Sequence, residues 1–223
     1  QNSLVSGMTL WKAYKNIDDP NFDFSGICIL ATSALENELR KIFFEEFQEF
    51  VKNQTGGKIN RYPSIFTYRK GTELVAGKSE YFALGKMPFL FGQTGKDPSS
   101  EDLSDIKRLN DFREKYLESI IDSQKMIDSG FASFSECFTK PFFSKNSELK
   151  KEKNFHVYYK GSLISEFEDI RNKYRNKSAH QGGLRRDEAH DCCNLVFGSS
   201  IMGDNDLEKV LGLIQKVYYL LKQ

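Results

Sequence analysis

Apolar residues recurring at three- and four-residue steps commit this chain to helices. Ile27, Cys28, Ala31, Leu35, Leu39, Ile42 and Phe43 lay one apolar stripe along a helix expected from about Phe24 to Val51. The turn Asp18-Asp19-Pro20-Asn21 supplies capping residues ahead of it, and a shorter helix is expected from Leu4 to Ile17. Leu103, Ile106, Leu109, Phe112, Tyr116, Leu117, Ile120 and Ile121 repeat the pattern from an N-cap at Ser100, and predict a helix running to about Ile127. Leu163, Phe167, Ile170 and Tyr174 form a third stripe, and Ala189, Cys192, Cys193, Val196 and Phe197 a fourth. A last helix, opening at Asp204-Asn205-Asp206, is expected to bury Leu207, Val210, Leu211, Ile214, Val217, Tyr218 and Leu221. The fold class this predicts is all-α, an antiparallel helical bundle formed as a single domain over residues 1–223.

Residues 55–100 interrupt the pattern. Gly56-Gly57, Tyr62-Pro63, Gly71, Gly77, Gly85, Pro88, Gly92, Gly95 and Pro98 punctuate a stretch with no long period, so it reads as an irregular insertion. Ile65–Arg69 and Glu73–Ala76 can pair as a short β-hairpin across Lys70-Gly71-Thr72, with a helix around Ser79–Leu84. Gly71–Ser79 is no phosphate loop, because five residues separate its glycines where the backbone register of that motif needs four.

Composition narrows the function classes. A formal net charge of +1 gives no bulk attraction for nucleic acid, so any polyanion contact must come from a local patch. No apolar run approaches the ~20 residues that span a bilayer, so no membrane partner is expected. Four cysteines, two of them adjacent, do not form a secreted disulfide framework, and a reducing cytoplasmic setting is the expectation. Cys192 and Cys193 cannot both face one metal from a helix, so they read as core residues and no metal or cofactor is expected. The chain opens on Gln1 rather than Met, so a trimmed product or a part of something longer is expected; an upstream sensor domain or a regulatory partner is a separate expectation.

The chemistry-bearing string is Arg175-Asn176-Lys177-Ser178-Ala179-His180, followed by Gln181-Gly182-Gly183. Arg175 offers a planar cation able to grip a phosphate through two hydrogen bonds. His180 is the side-chain type that moves protons near neutrality, and Asn176 can orient either partner or the phosphate. Residues five apart on a straight helix point about 140° away from each other. Either the helix breaks between Arg175 and His180, or each side chain meets its partner from another copy. Gly182-Gly183 places a helix end just after His180. Arg171, Lys173, Lys177, Arg185 and Arg186 surround the string and are the candidate RNA-binding cations; the bland alternative is a solvated helix face.

This string, with its polar residue after arginine and its helical setting, resembles the Arg-x4-His signature of HEPN domains. Those are small all-helical domains of toxin, abortive-infection and CRISPR-effector ribonucleases in antiviral defence. The resemblance is most specific over residues 161–197 and looser over 24–52 and 203–222. It implies an endoribonuclease with Arg175 and His180 catalytic and Asn176 supporting, no metal cofactor, RNA as substrate, and a homodimer that completes one composite site. Gly182 stands where HEPN toxins regulated by AMPylation carry a tyrosine, so that regulation is not expected. The other outcome is a non-catalytic HEPN-like module for RNA or protein binding or for dimerisation.

Overall fold

The computed structural model describes residues 2–56, 111–142, 162–180, 183–199 and 211–222, and the side chains of 2–7 and of His180 lie outside that description. The expected hairpin at 65–76, the helix at 79–84 and the apolar positions Leu103, Ile106, Leu109, Leu207 and Val210 also fall outside it.

The described residues fold as helices with no strand among them. In chain order these are α1 (Asn2–Tyr14), α2 (Ser25–Arg40), α3 (Phe47–Gln54), α4 (111–120), α5 (Ser123–Asp128), α6 (Glu136–Thr139), α7 (Leu163–Ile170), α8 (Asn176–His180), α9 (Arg186–Phe197) and α10 (Leu213–Leu220). None is long and apolar enough to cross a membrane. The protein is all-α, as its periodicity predicts.

α2 is the central element, packed by α1, α9, α10 and the helix that carries the Arg-x4-His string. All seven residues of its predicted stripe are buried. It runs on into α3 through a π-helical segment, Lys41–Glu46, in which Ile42, Phe43 and Phe44 are all buried. A wider turn spaces successive side chains more narrowly around the axis, which lets three consecutive apolar residues share the core. The Tyr116 hydroxyl, buried, donates to the Ile42 carbonyl inside this turn, and Phe138 meets Phe43 edge-on at 5.2 Å. π-turns have identifiable causes, and here one is a side chain inserted from α4.

Two expected helices differ. The one predicted to reach Ile127 breaks at Ile121-Asp122. Ile121 makes an antiparallel bridge with Leu221, and the Asp122 carboxylate accepts from the Gln124 and Lys125 amides to start α5 afresh. Ile127 is 59% exposed. The last helix begins at Leu213 in the described residues, and its buried face is Leu213, Lys216, Val217 and Leu220. Tyr218, expected inside, is exposed and donates to the Glu38 carboxylate at 2.5 Å. The phase is set at Gly212, the N-cap, where a Cβ would collide with the backbone of Val196, Phe197 and Gly198. Gly198, at φ +89°, turns the chain out of α9 and bridges Leu211.

Candidate active site

The Arg-x4-His string rides on a helix that starts at Ser162, whose hydroxyl accepts from the Ser165 amide at 3.2 Å. α7 buries Leu163, Ile164, Phe167 and Ile170. The helix then passes through a second π-segment, Arg171–Arg175, none of whose residues is buried, and continues as α8 to His180. The backbone therefore does not break between Arg175 and His180, and that alternative is set aside. The helix is described through His180 and Gly183 is no longer helical; Gln181 and Gly182 lie outside the described residues.

Arg175 is 40% exposed and its Nε lies 3.7 Å from Oε1 of Glu36 on α2. The contact is coulombic and beyond good hydrogen-bonding distance. It holds the guanidinium near α2 but leaves it open to exchange with another anion. Asn176 beside it is half-buried. Ser178 donates from Oγ to the Tyr174 carbonyl at 2.5 Å and to that of Arg175 at 3.2 Å, supplying a donor to the turn where the helix changes register. Tyr174 is half-buried, and burial pushes its hydroxyl up to about 12.

The surrounding cations are less available than their density in sequence implies. Lys173 pairs with Asp169 at 2.9 Å, Lys177 with Glu188 at 2.5 Å, and Arg185 with Asp187 at 3.2 Å. Arg171 donates to Asn172 at 3.2 Å. Hydrogen bonds from the Arg185 amide and from Lys177 hold the Glu188 carboxyl below its usual range. Arg186 is exposed at the start of α9 and has no carboxylate contact among the described residues.

The chain leaving the string is fastened to the start of α2. The Leu184 amide donates to Asp23 Oδ1 and to Ser25 Oγ, each at 3.1 Å, and the Leu184 carbonyl accepts from Phe24 at 3.0 Å. The Ser25 hydroxyl and amide hold the Asp23 carboxyl below its ordinary value. This brings residues 183–185 against 23–25 and fixes where the motif helix ends.

At its other end the same helix carries a pair that sequence reasoning missed. Glu166 accepts from Lys216 of α10 at 2.6 Å, and Lys216 is 1% exposed. Burial pushes the lysine down to about 8 and raises the glutamate. Glu36 was equally unmarked, since no local spacing links it to Arg175; Asp169, four residues before Lys173 on one face, was legible.

Cys192 and Cys193 are fully buried, as the stripe predicts, and a hydrogen bond with Cys28 together with burial raises the Cys192 thiol well above its usual range. His190 packs on Trp11, ring centroids 5.4 Å apart, and is half-buried. No family model, curated protein or solved structure matches this chain.

Proposed function

We propose that the protein is a metal-independent endoribonuclease of HEPN type, acting as a homodimer in antiviral defence or a toxin system. RNA carries its own nucleophile, the 2′-hydroxyl, which attacks the adjacent phosphorus and expels the 5′-oxygen. One proton leaves the 2′-oxygen and one joins the 5′-oxygen, so the products end in a 2′,3′-cyclic phosphate and a 5′-hydroxyl. His180 assists one of those transfers. Arg175 stabilises charge building on the phosphoryl oxygens, where preorganised donors have their largest effect. Asn176 orients the phosphate.

The observation that carries this reading is the state of Arg175. It sits on a solvent-facing π-turn, held at 3.7 Å by Glu36 and 40% exposed, so a phosphate can displace the carboxylate at little cost. π-turns concentrate at functional sites. Arg175 and His180 would work in a composite site shared by two copies, a reading that the continuous helix through His180 supports.

A second reading, a non-catalytic HEPN-like helical module, draws on a different observation: Lys173, Lys177 and Arg185 already have carboxylate partners. An RNA cleavage assay in excess EDTA, comparing the chain with His180→Ala, separates the two. Cleavage by the parent alone, leaving cyclic phosphates, is expected; activity that EDTA abolishes, or that survives His180→Ala, sinks the proposal.

A further inference from the structure

A cleft of about 890 Å³ opens between the end of α1, the loop after it and the first turn of α9. That volume lies within the roughly 300–1,000 Å³ of sites that enclose small organic ligands. Its wall combines three kinds of surface. The first is aromatic. Trp11, 3% exposed, packs on the His190 ring, and its indole N–H has no acceptor among the described residues. Phe22 stands between Tyr14, stacked at 5.6 Å, and Phe24, edge-on at 4.7 Å. The second surface is cationic, from Arg186 and Lys15, with Arg185 engaged by Asp187. The third is the pair of exposed carboxylates Asp18 and Asp19 on the loop after α1.

Each simple ligand leaves part of this wall unmatched. A bare anion would be repelled by the loop carboxylates, and an apolar molecule would leave the cations and carboxylates unused. A nucleotide matches all three. Its base packs on the part of Phe22 left open to the cleft, an exocyclic amino group donates to a carboxylate, and its phosphate meets arginine. The cleft is also tied to the motif helix, because Lys177 of α8 grips Glu188 in the turn of α9 that carries Arg186. We infer that this cleft binds one unpaired nucleotide, with the base against the half-buried Phe22 beside the buried Trp11 and the phosphate on Arg186, and that it selects bases bearing an amino group over uracil. The inference rests on the ribonuclease reading for the source of that nucleotide, an RNA strand crossing from Arg175 to Arg186, but not for the cleft itself.

Trp11 is the single tryptophan of the chain, so its fluorescence reports on this cleft directly. The test titrates the His180→Ala protein, which leaves RNA intact under the cleavage reading, with GMP, AMP, CMP and UMP and with a single-stranded RNA oligomer, and repeats the series by calorimetry. A saturable change in Trp11 emission is expected, weakest for UMP, with affinity reduced about tenfold by Arg186→Ala, the loss expected of a charge-assisted phosphate contact. Lys15→Ala, a second exposed-side substitution, guards against a variant that fails to fold. Oligomer binding much tighter than mononucleotide binding identifies the strand as the source, and equal affinities identify a free nucleotide; both uphold the cleft. No emission change with any ligand, or binding indifferent to Arg186→Ala, overturns it. Cleavage by the parent without a Trp11 response removes the cleft and leaves the ribonuclease, whereas a Trp11 response without cleavage does the reverse.

Discussion

Two of the ion pairs that the motif helix makes with neighbouring helices sit in surroundings that differ completely. At its start Glu166 meets Lys216 at 2.6 Å with the lysine 1% exposed; near its end Arg175 meets Glu36 at 3.7 Å with the arginine 40% exposed. A buried pair cannot exchange partners, because either charge left alone in the core carries its full desolvation penalty. An exposed pair is worth little and gives way to a competing anion. The two π-segments differ in the same way. Lys41–Glu46 is packed with buried residues and fastened by Tyr116, while Arg171–Arg175 buries none. One end of the molecule locks the fold and the other presents a cation.

The sharpest way to break this comparison is at the buried pair. Lys216→Met leaves the Glu166 carboxylate unpaired in the core and should cost about 3–5 kcal/mol in urea denaturation. Adding Glu166→Leu should restore most of that loss, and a double variant no better than the single would refute the desolvation account. Arg175→Ala should move stability by less than about 1 kcal/mol, yet lower RNA cleavage by about 100-fold or more. Equal stability losses at both pairs would erase the distinction drawn between them. Next in size, Tyr116→Phe removes the donor to Ile42 and should cost about 1 kcal/mol, read as a lower urea midpoint with unchanged slope.

The smallest expected effect concerns pH. Hydrogen bonds lower the Asp23 carboxyl below its ordinary 3.8. The unfolded chain therefore binds this proton more readily than the folded one, so the contribution is complete above that value and lost as pH falls through the lowered folded value. Asp23→Asn should flatten acid unfolding below about pH 4. An unchanged acid limb would mean that the Asp23 contacts to Ser25 and Leu184 do not persist in solution.

Much of the helical framework was legible. Every predicted stripe residue of α2 and α9 is buried, because a packed helix must turn its apolar face inward. Where the reading slipped, a distant residue had decided the local geometry. The helix expected to pass Ile121 stops there because that residue pairs with Leu221, at the far end of the chain. Tyr218 lies outside and Lys216 inside because Gly212 docks on the backbone closing α9 and sets the phase of the helix that starts at Leu213, with Glu166 waiting for the lysine. Of the candidate site, the string's place at a helix end was visible, but the partners of Arg175, Lys177 and the cleft around Trp11 were not.

The sequence by itself determined the helical class, the inward faces of the central helices, the buried cysteines and the residues able to handle a phosphate. These follow from periodicity and side-chain chemistry, which are local properties. Only the tertiary structure decided which cations remain open, where the hydrogen-bond register widens into π-turns, and that Trp11, Phe22 and Arg186 line one cleft. Those depend on contacts between residues far apart in the chain, and no spacing along a single helix encodes them.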